Sequence, residues 1–316
     1  MQSNSISHRQ RQRHRIGMLI CALALGAAAP WLADLSLSQQ FWIVLLPVMV
    51  FGMSHGGADP LLIAALKRVR GRGNAQWFGG YLALMLLTVA FIWWQPAWAL
   101  VIFLLMSAAH FAATDRPFLP AAGFGLAGWL SGSLPIVAPM FSYPDQVATL
   151  FAWLLQAEVA SLVPRVAMFG QWLMGAWLVL LLVTLLQTQR SHRLSVFVEL
   201  IALAAPLLLL PPLLAFTFYF CVVHSLRHFM MLMAAQRNAN AAIDVKGMAR
   251  VALPATLGAI GLSLIAWWGL HALQPSLDVA WVGEGVRVMF WGLAVLTVPH
   301  ALVVALWSSP QVSRRA

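Results

Sequence analysis

The sequence predicts an all-α fold: a polytopic transmembrane bundle of about 8–10 spans, ten favoured, with both termini cytoplasmic. Three observations carry this. Hydrophobic residues make up 61% of the chain and charged ones only 9%, where a soluble domain carries about 25% charged residues. Apolar stretches of roughly 17–25 residues, long enough to cross a bilayer, recur along the chain. The basic residues fall between those stretches, mostly on one side.

The first span is placed at 17–35, behind the basic run His8-Arg9-Gln10-Arg11-Gln12-Arg13-His14-Arg15. That run resembles a signal-peptide n-region, with Ala27-Ala28-Ala29 as a mimic of a cleavage site. The rest of the chain spans the membrane in any case, so an uncleaved first helix is expected. Further spans follow at 41–66, 77–94, 97–113, 120–140, 167–188, 194–210, 213–234, 250–272 and 285–307. The stretch 147–164 contains Glu158, ends at Pro164 and reads as an interfacial or re-entrant piece. The segment 194–210 is short and runs into Pro211-Pro212, which sets the lower count of eight or nine. With no clear internal repeat and no soluble domain, 1–316 forms a single integral membrane domain. It comprises a basic tail at 1–16, the bundle at 17–307 and a second tail at 308–316.

With the N-terminus inside, the inner segments hold sixteen of the 19 Lys and Arg. Only Arg165 and Arg287 lie outside, and Arg227 lies within a span. This asymmetry sets the orientation and accounts for the formal net charge of +10 without a nucleic-acid partner. Cys21 and Cys221 sit in apolar runs and give neither a disulfide framework nor a zinc-ribbon spacing.

Ionisable groups at membrane depth point to function, because burying them in hydrocarbon is expensive. The stretch Phe220-Cys221-Val222-Val223-His224-Ser225-Leu226-Arg227-His228 places His224 and His228 on one helix face, one turn apart. His55, His110 and His300 recur in similar apolar settings. His55, His110, His224 and His300 fall on spans two, four, eight and ten, all running from outside to inside. Each lies roughly 11–15 residues into its span, about 17–23 Å along a helix. Their matched depth predicts one shared site, whereas His8, His14, His192 and His271 read as solvated or interfacial.

The motifs have individual readings. Asp59, four residues after His55, is expected to accept the second ring proton of His55 and fix its tautomer. Gly56-Gly57 lets another backbone or a substrate come close, or breaks the helix. Ser107, Ala108, Ala109, Ala112 and Ala113 form a small face suited to close packing, on which His110 stands. Asp115 is expected at a solvated end, and Arg227 either snorkels or pairs with Asp59 or Asp115. Pro299 predicts a kink beside His300. A set of imidazoles suits iron, copper or zinc, and a four-His site with open positions suits Fe2+ and O2. Zinc hydrolysis lacks a glutamate near the motifs, since Glu199 and Glu284 lie elsewhere in the sequence.

In this order the motifs resemble the Brp/Blh family of membrane β-carotene 15,15'-dioxygenases. The carrying residues are His55-Gly56-Gly57-Ala58-Asp59, Ser107-Ala108-Ala109-His110-Phe111, His224-Ser225-Leu226-Arg227-His228 and Pro299-His300. The resemblance implies an Fe2+ centre and cleavage of the central double bond of β-carotene, or a related carotenoid, by O2 into two retinals. It implies His55, His110, His224 and His228 as metal ligands, with Asp59 and His300 in supporting positions. The expected setting is a bacterial inner membrane, with a retinal-using rhodopsin as a partner. Gly57 departs from the usual alanine, and Ala112-Ala113-Thr114 from a Gly-Glu-Ala-like run. A diiron oxygenase requires more histidine clusters than His224 and His228 provide. A membrane metal or solute transporter and a non-catalytic carotenoid-binding protein are the alternatives from other classes.

Overall fold

The structure is a computed structural model that describes residues 6–71, 73–119, 125–238, 244–273 and 281–308. The side chains of His8, His55, Val69 and Arg70, and all of the expected C-terminal tail but residue 308, lie outside that description.

The regular elements described are all helical. Helix α1 (His8–Leu32) starts at a capping box: the Gln10 N–H donates to the Ser7 hydroxyl, and the Gln10 side chain accepts from the Ser7 N–H. Helix α2 (Leu37–Pro47) starts in the same way at Ser36 and Gln39. At Pro47 it passes into a π-helical turn, Val48–Gly52. Then come α3 (Ser54–Gly57), α4 (Asp59–Arg70), α5 (Asn74–Trp94) and α6 (Pro96–Asp115), the last followed by a 3-10 turn, Arg116–Phe118. Next are α7 (Leu126–Ser142), α8 (Pro144–Leu155), α9 (Val159–Gln187), α10 (Arg190–Leu209) and α11 (Pro212–Thr217). A second π-helical segment, Phe218–His224, leads into α12 (Ser225–Asn238), and α13 (Val245–Leu273) and α14 (Trp281–Trp307) complete the chain.

Among the described residues, eight helices are long and apolar enough to cross a membrane, and two more apolar helices, Leu37–Gly52 and Leu126–Ser142, are shorter. The chain is a multi-pass membrane protein. Eight is the lower end of the expected count; the expected span 41–66 is divided among α2, the π-helical turn, α3 and α4, and the expected span 120–140 is met by the shorter α7. The stretch 147–164 divides differently from expectation. Its first part belongs to α8, and α9 already begins at Val159, so Pro164 lies inside a helix instead of ending a segment.

The chain forms two compact units. The first comprises Met1–Val48, Leu104–Ala152 and Gln156–Met231. Within it α7 packs against α9 and α10, α1 against α10, and α2 against α11. Helix α7 is buried on most sides, which its glycines permit. A methyl group at Gly128 would stand 2.6 Å from the Ala112 carbonyl oxygen, and Gly132 lies against the backbone of Ala108 and Ala112. The small face expected on α6 is thus met by glycines of α7. Buried Gln40 has its own partners: its amide donates to the Leu35 carbonyl at 2.7 Å and to Gln146 at 2.8 Å, and accepts from the Leu213 N–H at 3.2 Å.

The second unit comprises Met49–Phe103, Trp153–Leu155 and Leu232–Ala316. Here α14 packs against α5, α4 and α13, and α13 packs against α3. Two of the expectations for Gly56-Gly57, a helix break and a close backbone approach, are met in this unit. The helix breaks after Gly57, and α4 restarts at Asp59 with Pro60 in its first turn. A Cβ on Gly57 would lie 2.6 Å from both the Ala252 carbonyl oxygen and the Thr256 hydroxyl, so the absent side chain is what lets α3 approach α13. Helix α5 has no buried residue and exposes Trp93 and Trp94, the composition of a helix facing lipid.

Candidate functional site

Two of the predicted ligands come from one irregular stretch. The Ser225 N–H reaches the Phe220 carbonyl, five residues back, and the Ser225 hydroxyl donates to the same oxygen at 2.7 Å. A π-turn is wider than an α-turn and brings positions i and i+4 closer to register. Phe220 and His224 accordingly stack, with ring centroids 6.0 Å apart and planes 7° apart. The α-helix then resumes, and His228 follows one turn on, its ring 6.3 Å from that of His224.

Helix α6 delivers the third imidazole. The His110 ring is 5.0 Å from His224 and 6.4 Å from His228. All three rings are buried, His224 and His228 at 0% exposure. An aromatic wall adjoins them: Phe111 is 4.5 Å from His224 and 5.1 Å from Tyr219, and Phe216 stacks on Phe220 at 5.1 Å.

Beneath this triangle lies a network of buried charge. Arg227, between the two motif histidines in sequence, is fully buried and does not snorkel. Its guanidinium pairs with Asp115 at 3.0 Å and Glu199 at 2.8 Å. Asp115, expected at a solvated end, is also fully buried. It accepts a hydrogen bond from the Tyr219 hydroxyl at 2.7 Å and another from Ser131. Arg15 of α1 approaches Glu199 at 3.9 Å, and Phe118 lies 5.2 Å from the Arg227 guanidinium carbon. Two cations thus face two carboxylates, and a site that would be prohibitive for any one charge is locally neutral. The network ties α1, α6, α7 and α10 to α12, which carries His228, and through Tyr219 to the turn that carries His224.

The second unit holds the remaining predicted residues. His55 lies on α3, with its ring outside the described residues. Asp59 was expected to serve His55; the described partners of its oxygens are His300 and Tyr81. Nδ1 of His300 is 2.7 Å from one carboxylate oxygen, and the Tyr81 hydroxyl donates to the other at 2.8 Å. The carboxylate oxygen accepts, so Nδ1 is the donor in this pair and Nε2 is the ring's other nitrogen. Helix α14 runs on through Pro299, which has no N–H to offer the Val295 carbonyl.

Asp59→Asn leaves one of these two donors without an acceptor, and an expected loss of about 1–3 kcal/mol follows. Tyr81→Phe removes a single hydrogen bond and is expected to cost about 1 kcal/mol. Thermal unfolding in detergent checks both. Wild-type midpoints in the two variants would show that the triad holds nothing together.

Among the described residues, no group of three or more His, Cys, Asp or Glu is placed to hold a metal ion. The donor set nevertheless has the chemistry of one. Imidazoles bound about 2.1 Å from a common ion in a tetrahedral set have ring centroids about 5.2 Å apart. The His110–His224 separation of 5.0 Å fits that spacing, and His228, at 6.3 and 6.4 Å, stands farther out. Three buried imidazoles with no carboxylate among them suit iron, copper or zinc, and suit magnesium or calcium poorly.

Comparison with known proteins decides the family. The family described as Beta-carotene 15,15'-dioxygenase matches residues 46–308, a range that contains every motif histidine. The chain belongs to the β-carotene 15,15'-dioxygenase family. Family membership makes it an oxidoreductase. One relative, a β-carotene 15,15'-dioxygenase of uncultured marine bacterium 66A03, is 29% identical over 292 residues, covering 86% of this chain and 96% of the relative. Another, the probable β-carotene 15,15'-dioxygenase Blh of Halobacterium salinarum, is 28% identical over 326 residues, covering 90% and 91%. No solved structure matches the chain.

Within this dioxygenase-family chain, reading the motifs alone missed Glu199, Ser131 and Tyr81, and the bond from Tyr219 to Asp115. Glu199 had a signal: it is the only acid in 190–210, and an acid at membrane depth calls for a cation at the same depth. Arg227 is the one basic residue that the expected topology leaves inside a span. Ser131, Tyr219 and Tyr81 are ordinary residues of apolar helices, and their sequence neighbourhood carries no such signal.

Proposed function

We propose that this protein cleaves the central 15,15' double bond of β-carotene, or of a related carotenoid, with O2 to give two all-trans-retinal molecules. The reaction balances without an external reductant: one carbon–carbon double bond and one O2 become two aldehyde carbonyls. Fe2+ is the proposed cofactor, held by His55, His110, His224 and His228. When bound, it would supply the redox chemistry that activates dioxygen. The observation that carries the reading is the buried imidazole triangle of His110, His224 and His228 in a membrane-spanning member of this family.

The chain's own residues then have distinct tasks. Phe111, Phe216 and Phe220 offer flat faces to a polyene, and their packing keeps water from the imidazoles. The Arg227 network touches no reactant in this scheme; it fixes the turn and the helix from which two ligands project. Asp59 fixes the ring of His300, and His300 supports the substrate side without binding the metal. A multi-pass setting in a bacterial inner membrane, with both termini cytoplasmic, lets a carotenoid enter from lipid. The retinal would leave by the same phase for a retinal-using protein such as a rhodopsin. Membership in an enzyme family favours catalysis over transport or carotenoid storage.

Expression in a β-carotene-producing bacterium, followed by chromatography of the pigments, tests the proposal. Carotene is expected to fall as retinal appears. Unchanged carotene, in membranes that contain folded and iron-loaded protein, would overturn the substrate assignment.

A further inference from the structure

A cavity of about 510 Å3 lies where α4 and α5 meet at their short turn, with no histidine in its lining. It is lined by Pro60, Ile63, Ala64, Lys67 and Arg68 of α4, with Asn74 and Phe78 of α5. The α4 residues follow helical spacing, so they form one stripe along the helix. The stripe is graded. Pro60, Ile63 and Ala64 make its first turns apolar, and Lys67 and Arg68 make its last turn cationic. From Pro60 to Lys67 it runs about 10 Å. The cationic end lies at the turn where the membrane-spanning helix α5 begins, at Asn74.

Among the described residues, no carboxylate pairs with these cations. The sequence holds no Asp or Glu between Asp59 and Asp115. Asp59 is held by Tyr81 and His300. Of the helices packed against α4, α13 has no acid, and the one acid of α14, Glu284, pairs with His271. Basic residues at a helix C-terminus offset its dipole, but that role needs no cavity and no apolar stripe leading from the charges.

We propose that this cavity is a binding site for a phospholipid with an anionic headgroup. The phosphate sits against Lys67 and Arg68 with the Asn74 amide beside them, and one acyl chain lies along Pro60, Ile63 and Ala64 with Phe78 closing the side. Charge complementarity selects the headgroup, and the stripe selects an amphiphile over a free anion. A carotenoid hydrocarbon has nothing to offer the charges.

Native mass spectrometry of the full-length protein tests this, in detergent with equal amounts of phosphatidylglycerol and phosphatidylcholine of the same chains. The wild type is expected to retain one phosphatidylglycerol about tenfold over phosphatidylcholine. Lys67→Gln with Arg68→Gln is expected to abolish the preference. Ala64→Trp, which fills the stripe and leaves the charges, is expected to abolish retention. Lys246→Gln with Arg250→Gln, an equal charge loss on exposed positions of α13, is expected to leave the preference intact. The same preference in the Lys67/Arg68 variant as in the wild type would overturn the site. So would full displacement of the lipid by millimolar inorganic phosphate, which would make it a plain anion site. If the charge variant fails to fold, Ala64→Trp decides alone: undiminished retention there overturns the proposal.

Discussion

Arg227→Met is expected to destabilise the protein by about 3–5 kcal/mol, the cost of breaking a buried ion pair from one side. The side chain is fully buried, and its loss leaves Asp115 and Glu199 as carboxylates inside a membrane helix bundle, with Arg15 reaching Glu199 alone at 3.9 Å among the described ion pairs. The midpoint of thermal unfolding in detergent reads the effect. Arg227→Met combined with Asp115→Asn and Glu199→Gln removes the unmatched charges and is expected to recover most of the loss. Recovery in the triple variant separates the penalty of unpaired charge from simple loss of packing. A wild-type midpoint in Arg227→Met would mean that the network holds nothing in place.

His224→Ala and His110→Ala are expected to lose bound iron and to reduce retinal formation by about 1,000-fold or more, as for residues that act as one unit. Iron content of the purified variant and retinal from the pigment-producing strain measure the two losses separately. Their rings meet at 5.0 Å from different helices, so each variant removes one corner of the triangle. His300→Ala is the contrast: its ring nitrogen is held by Asp59, and iron is expected to stay. Iron and retinal both at wild-type levels in His224→Ala would remove that residue from the ligand set.

The spans were legible because bilayer thickness writes itself into the length of apolar runs, and this chain has few charges to blur the ends. The pairing of His224 with His228 was legible because helical spacing is local. The meeting of His110 with His224 was suggested by their matched depth. The π-turns were not legible: Val48–Gly52 and Phe218–His224 read as ordinary apolar helix, and the extra residue in each turn leaves no mark in hydropathy. Asp115 was misplaced for a related reason. At the end of a span an acid can face water or protein, and Arg227 and Tyr219, more than 100 positions away in the chain, settle which. Asp59 was assigned to His55, whose ring lies outside the described residues; its described partners come from α5 and α14.

The buried charges also have an order in time. Arg15, Asp115 and Glu199 are synthesised before Arg227, so both carboxylates enter the bilayer ahead of the cation they embrace. An isolated arginine in a membrane helix raises the free energy of insertion by about 2.5–3.5 kcal/mol. Helix α12 therefore enters as a poor candidate on its own and a good one beside its predecessors. Its arrival completes the charge balance and, in the same step, sets His224 and His228 beside His110. Assembly of the imidazole triangle is thereby tied to correct insertion of the chain.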